Sequence, residues 1–285
     1  MQAEALPDRV KAGEAPSARD EALPAPDSVP ERWWGRPVAE TRAWLELGRL
    51  LVDPVFHRTD GLPRGDGRPV ILLPGFLAGD RTLEVLRTWL RHMGYQPFTC
   101  GFLTNTDCSD RALDRVERKV DELWSAHGRR VGVIGHSRGG HFARALAARR
   151  PDHVSHAISM GADLQGMFGA SAPTLLAVRA VRGAVRWSGR ARSVDCLTAR
   201  CDCRFNYDFA RRFPVEQVRL TSIYSKGDGV VAWRGSVIPE AECVEVTGSH
   251  VGLIFNRKAY RAIANSLALP ELATTGAQAH RSRST

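Results

Sequence analysis

Apolar residues recur along this chain in two alternating rhythms. Short unbroken runs, Pro69 to Leu73 and Val131 to Ile134, have the length and composition of buried strands. Between such runs apolar positions fall every three or four residues. Leu83, Leu86, Leu90 and Met93 form one helical stripe, stopped by Gly94. Leu113, Val116, Val120 and Leu123 form another, ending at Gly128. Strand-like segments also lie at Gln96 to Phe102, Val154 to Met160, Val218 to Tyr224 and Glu242 to Val246. Helical spacing marks 38–51, with Trp44, Leu47 and Leu51 on one stripe ahead of Pro54. It also marks Gly140 to Arg150 ahead of Pro151, and Arg257 to Leu267. Strands alternating with helices of about 10 to 15 residues predict βαβ units. The expected fold is α/β, a mostly parallel sheet with helices on both faces.

The rhythm breaks once. Residues 164–215 separate two strands by far more than one crossover helix needs. Thr174 to Trp187 within them carry Val178, Val181 and Val185 on one stripe beside Arg179, Arg182 and Arg186. Long insertions in compact domains are often lids, so this segment is read as a helical cap or lid over the C-terminal edge of the sheet. The plainer alternative is a packed extra helix with a solvated arginine edge. Residues 69–269 then form the main domain, preceded by a helix and linker at 31–68. Residues 1–30 mix charges with five prolines and no apolar stretch, the composition of a disordered arm, and 273–285 reads as a disordered tail.

Composition adds limits. Apolar residues make up 43% and charged residues 25% of 285, as in soluble globular proteins. No apolar run approaches the roughly 18 residues of a membrane span. No signal peptide is visible, so a cytoplasmic protein is expected. The six cysteines are then expected as free thiols. Cys196-x4-Cys201-x-Cys203 lacks the C-x2-C spacing of structural zinc sites and has no histidine nearby, so no metal is expected there. A Cys196–Cys201 disulfide would fit only an exported protein. The net charge of +9 is spread along the chain without a basic block, which argues against nucleic acid. It fits transient contact with an anionic lipid surface.

The chemistry starts at Gly135-His136-Ser137-Arg138-Gly139. With 26 glycines in the chain, this G-x-S-x-G string has about a one-in-seven chance of arising by composition. Its context is what matters: a strand-like run precedes it and a helix-like segment follows. A serine at such an apex sits on a strained turn that only small residues can flank. Serine needs an imidazole to take its proton and a carboxylate to orient that imidazole. Of nine histidines only His250 and His280 lie beyond the last candidate acids, and His280 falls in the tail. His250 follows a strand and precedes a helix. Asp228, between Gly227 and Gly229, follows the strand before it and is the first candidate acid. Asp163 is the second, and Asp195, Asp202 and Asp208 fall inside the insertion. The developing oxyanion needs N–H donors. Arg138 supplies one, at a helix N-terminus. Phe76, in Pro74-Gly75-Phe76 after a buried strand, supplies the other.

With these pieces in this order, roughly Pro69 to Leu269 resembles the α/β-hydrolase superfamily, and within it bacterial lipase- and esterase-like members. The resemblance implies a Ser137–Asp228–His250 triad, a cap near the site, no cofactor, and a small-molecule ester or lipid substrate. Many lipases carry His-Gly where this chain has Pro74-Gly75. Proline cannot make that histidine's hydrogen bonds, so the oxyanion loop must be held in some other way. The expected activity is ester hydrolysis through an acyl-enzyme on Ser137, with hydrophobic acyl groups. An acyltransferase on the same triad and a non-catalytic binding protein of this fold are the rivals. Epoxide hydrolases and dehalogenases of the fold use aspartate as nucleophile, so Ser137 argues against them.

Overall fold

A computed structural model describes residues 37–57, 61–167 and 169–273. The expected N-terminal arm and all but the first residue of the expected tail lie outside the described residues. Six strands form one sheet: β1 (Pro69–Leu73), β2 (Gln96–Phe98), β3 (Val131–His136), β4 (Val154–Met160), β5 (Arg219–Ser225) and β6 (Glu242–Val246). Their spatial order is β2-β1-β3-β4-β5-β6, and all five pairings are parallel. Every residue of β1, β3 and β4 is buried, because helices cover both faces.

The two faces separate cleanly. Ile71, Leu73 and Val133 point to one side, where they meet α4 (Ser109–His127), α5 (Arg138–Arg149) and α7 (Arg204–Ala210). Val70, Leu72 and Ile134 point to the other. There they meet α1 (Ala43–Val52), α2 (Pro54–His57), α3 (Glu84–His92) and α8 (Arg257–Ala268). Trp89 is fully buried on that second side. It packs on Tyr260 at 4.6 Å and donates its indole N–H to the Val55 carbonyl at 2.7 Å. Helix ends follow local chemistry. Gly128 closes α4 in a left-handed conformation at φ 61°. The Asn256 side chain caps α8 by accepting from the N–H groups of Lys258 and Ala259.

Three expectations change. The strand expected over Gln96 to Phe102 ends at Phe98. Beyond it Gly101 turns left-handed (φ 75°), and the Gly101 and Phe102 N–H groups donate to Asp80 Oδ2 at 2.8 and 3.0 Å instead of to a neighbouring strand. The helix over 38–51 is a 3₁₀ turn, Pro37–Arg42, followed by α1. Its Trp44 and Leu51 face solvent, and Ala43 and Leu50 are the buried residues.

Residues 164–215 hold α6 (Ala172–Trp187) and α7, and their two halves are fastened differently. The second half is pinned by ions. Arg149 is buried and bonds Asp208 at 2.5 Å and Glu117 at 2.9 Å, while Arg192 reaches Asp110 at 2.5 Å. In α6 only Val185 is buried, and Leu176 and Trp187 are exposed. Among the described residues no helix is long and apolar enough to cross a membrane.

Candidate active site

The parallel sheet sends every strand's C-terminal end to one edge, and the candidate residues all lie in loops on that edge. β3 ends in the serine elbow. Ser137 adopts φ 53° and ψ −122°, a strained backbone for a residue with a side chain. Both motif glycines are required by contact. A Cβ on Gly135 would run into the Gly139 carbonyl, and one on Gly139 would run into the Leu73 carbonyl of β1. The elbow is therefore wedged between β3, α5 and the neighbouring strand.

β1 pairs with β3 so that Leu73 lies opposite Gly135, which brings the Pro74-Gly75-Phe76 loop beside the serine. Gly75 lets it come close: a Cβ there would sit 3.2 Å from the Ser137 Cβ. The backbone N–H groups of Phe76 and Arg138 have no hydrogen-bond partner among the described residues. Arg138 is the first residue of α5, where N–H groups point outward unpaired.

β5 and β6 bring the candidate acid and base together. His250 Nδ1 lies 2.7 Å from Asp228 Oδ2. Asp228 Oδ1 accepts from the N–H groups of Val230 and Val231, both at 2.8 Å, so the carboxylate is held at each oxygen. Burial pushes the His250 pKa down, but the charge of Asp228, its hydrogen bond and the charge of Glu40 together raise it above the ordinary 6.5. Gly161, left-handed at φ 62° after β4, leaves room for the pair: a Cβ there would stand 3.2 Å from both Asp228 Oδ2 and His250 Nδ1.

Ser137 and His250 line one cavity of about 390 Å³, with Gly75, Phe76, Thr174 and Val251 around it. A narrower recess of about 80 Å³ continues from Ser137 beneath α6, lined by Leu175, Val178, Leu197, Phe205 and Val231. His141 also lines it. Burial lowers the His141 pKa to about 4, so this imidazole is uncharged at neutral pH. Cys196, Cys201 and Cys203 lie on the same wall as unpaired thiols. No metal-binding cluster occurs among the described residues.

Asp163 stands elsewhere. Its Oδ1 accepts from the Gln165 and Gly166 N–H groups and its Oδ2 from the Gly169 N–H. It shapes the turn that leaves β4 and makes no contact with His250.

This sheet and loop arrangement matches known proteins. Residues 69–198 match the palmitoyl protein thioesterase family, a span that includes Phe76 and Ser137 but neither Asp228 nor His250. The structure of a Bacillus licheniformis lipase in mature form aligns at TM-score 0.51 and 12% identity, over 73% of this chain and 95% of that one. The chain has the α/β-hydrolase fold. A Paleococcus ferrophilus monoacylglycerol lipase aligns at TM-score 0.49 and 14% identity, over 73% of this chain and 96% of its own.

Among α/β-hydrolases the Pro74-Gly75 loop raises the question of how it is held, and Asn105 answers it. This fully buried side chain donates Nδ2–H to the Pro74 carbonyl at 2.7 Å, and the Asn105 backbone N–H donates to the Ala78 carbonyl at 2.8 Å. Arg138 in turn grips Asn105, donating to its backbone carbonyl at 2.8 Å and to its Oδ1 at 2.9 Å. The same guanidinium bonds the Asp107 carbonyl and stacks over Phe142 at 5.0 Å. Burial lowers its pKa to about 10, which leaves it charged at neutral pH. One side chain of the elbow thus fixes the loop beside it.

His136 is a second residue that the motif conceals as its variable position. Burial and then the nearby His250 lower its pKa to about 3, so it is neutral. Its Nε2–H donates to the His250 carbonyl at 2.9 Å and ties the histidine loop to the elbow.

Proposed function

We propose that this α/β-hydrolase is a serine hydrolase of carboxylic esters with apolar acyl groups. Ser137 attacks the acyl carbonyl as His250 takes its proton, and Asp228 stabilises the imidazolium. The oxyanion accepts from the N–H groups of Phe76 and Arg138. Collapse breaks the ester bond, and the alcohol leaves with the proton from His250. Water, deprotonated by His250, then attacks the acyl-enzyme and frees the acid and Ser137.

One observation carries this reading. Loops from four separate strand ends, β1, β3, β5 and β6, meet at one cavity, with a strained serine, a carboxylate-held imidazole and two unpaired N–H groups. The recess beneath α6 supports an apolar acyl group, since its lining is almost wholly uncharged. The match to the palmitoyl protein thioesterase family points the same way and adds thioesters to the candidate substrates. The loosely packed α6 is the part of 164–215 that acts as a lid, while the ion-pinned α7 half stays fixed.

The test is labelling with a fluorophosphonate probe, together with turnover of 4-nitrophenyl esters and acyl thioesters of increasing chain length. The expected result is probe attached at Ser137 and faster turnover of longer chains. A protein that takes no label and turns over none of these esters ends the proposal.

Asn105→Ala checks the oxyanion loop separately. It removes the hold on Pro74 and leaves every triad side chain in place. The expected fall in kcat is about 10²-fold, as for a reacting group displaced by about an ångström. Steady-state kinetics on the best ester of the panel measures it, and an unchanged kcat would show that Asn105 is only a packing residue.

A further inference from the structure

The segment ahead of the sheet reaches the far side of the candidate triad. The 3₁₀ turn and α1 lie against the loop that follows β6. From this segment Glu40 places one carboxylate on two loops at once. Its Oε1 accepts from the Gly229 N–H at 3.2 Å and from the His250 N–H at 3.0 Å. Its Oε2 accepts from the Val251 N–H at 2.8 Å. Gly229 adjoins the acid Asp228, and His250 is the base. Six residues on, Glu46 repeats the device: its Oε1 accepts from the Ser249 N–H at 3.0 Å, and its Oε2 from the Ser249 hydroxyl at 2.9 Å.

The sequence around the histidine is shaped to admit these acids. Gly248 and Gly252 flank Ser249-His250-Val251. A Cβ at Gly252 would overlap Glu46 Oε2, and one at Gly248 would approach Glu46 Oε1 to 2.5 Å. The histidine-loop glycines are therefore the space that the Glu46 carboxylate fills, as well as points where the chain turns.

We propose that Glu40 is a positioning residue for the triad: through three backbone N–H groups its carboxylate ties the acid loop to the histidine loop and sets the His250 imidazole between Asp228 and Ser137. Glu40 touches neither substrate nor reacting atoms. The inference rests on the serine-hydrolase reading above. Glu46 secures the same loop one residue earlier.

Geometry and charge act together here. The groups facing His250 are Asp228 from the loop after β5, Glu40 from the N-terminal segment and neutral His136 from β3. The carboxylate of Glu40 is one of the charges that favour the imidazolium formed as Ser137 loses its proton. A base works only when neutral, so activity rises through the pKa of His250. Removing the Glu40 charge lowers that pKa and moves the acidic limb to lower pH.

The experiment measures kcat and KM separately for a 4-nitrophenyl ester, from about pH 5 to pH 9, across the acidic limb. The full-length variants are Glu40→Gln, Glu40→Asp and Gly252→Ala, each checked by fluorophosphonate labelling and thermal melting. Glutamine loses the charge and accepts at one oxygen only. Glu40→Gln is expected to lower kcat about tenfold with KM within about twofold, and to move the acidic limb down. Glu40→Asp keeps the charge and restores the limb. Gly252→Ala displaces the Glu46 carboxylate and the Ser249 hydroxyl it holds and leaves Glu40 charged, so kcat falls and the limb stays. If Glu40→Gln does not melt cooperatively, Glu40→Asp decides the matter: its shorter side chain cannot span Gly229, His250 and Val251 together, so a lowered kcat with KM and limb unmoved supports the role and a wild-type kcat overturns it. A Glu40→Gln enzyme with wild-type kcat and an unmoved limb, still labelled at Ser137, overturns the role of Glu40 and leaves the hydrolase standing. A wild-type protein that takes no label overturns both.

Discussion

Ser137→Ala is expected to lower kcat/KM for a 4-nitrophenyl ester by about 10⁵-fold or more, while the protein stays folded. The size follows from what is lost. Without the hydroxyl no acyl-enzyme can form, and removal of a nucleophile from such a triad costs on the order of 10⁶ in kcat. What survives is the oxyanion donors and the binding recess, which in comparable sites retain about 10³ to 10⁴ over the reaction in water. The fold should tolerate the change because the strain at Ser137 lies in its backbone, at φ 53°, and alanine bears that strain about as serine does. The tight contacts of Gly135 and Gly139 are untouched. The measurement is initial-rate kinetics at equal protein concentration, with the variant treated beforehand with a fluorophosphonate so that traces of host esterase are inactivated. A variant that keeps more than a tenth of the wild-type rate would falsify Ser137 as the nucleophile.

The parts of this molecule that could be read from sequence are those in which neighbours along the chain do the same job. β1 and β3 are buried along their whole length and stand out as apolar runs; β4 is buried likewise, but Ser155, His156 and Ser159 interrupt its run. The order of the loops is likewise imposed by the parallel sheet, which turns the sequence order elbow, acid, histidine into closeness in space. Residues 99–102 read as a continuation of β2 because Cys100 and Phe102 are buried like strand residues. What ends the strand is distant in sequence: the Gly101 and Phe102 N–H groups donate to Asp80, about twenty positions earlier. Trp44 shows the same limit. Its period marked a helix, but the face that helix buries is decided by Leu50 in the core and by Glu46 on the histidine loop.

Polar partners distant in sequence leave no local pattern at all. Asn105 sits between two threonines in an unremarkable loop, yet it holds the Pro74 carbonyl. The need for some such residue was legible, since Pro74 stands where a hydrogen-bonding histidine is common; its identity was not. Glu40 is more hidden still, because it acts on the His250 backbone from 210 residues away. Conversely, Asp163 and Asp228 look alike in sequence, each following a strand. Only their hydrogen bonds separate a turn-forming carboxylate from one aimed at an imidazole.

That separation makes Asp228→Asn the other large expected effect, a loss of about 10⁴-fold in kcat. In the native arrangement Asp228 Oδ1 accepts from the Val230 and Val231 N–H groups, and Oδ2 faces His250 Nδ1. An asparagine must keep its carbonyl oxygen on the two backbone donors, since its NH₂ group cannot accept from them. The NH₂ group then meets His250 Nδ1, which must accept, and the ring proton is driven to Nε2. An imidazole with its proton on Nε2 cannot take the proton of Ser137. The substitution also removes the Asp228 charge, which raises the His250 pKa. The sign follows: the folded-state pKa of His250 falls, and the acidic limb of kcat/KM moves to lower pH even as the plateau drops. Asp163→Asn makes the paired comparison. Its carboxylate caps Gln165, Gly166 and Gly169, so that change is expected to lower the melting temperature while kcat stays within a few-fold. Full pH profiles of both variants separate the two carboxylates. A kcat loss carried by Asp163→Asn instead of Asp228→Asn would reassign the acid of the triad to the loop after β4.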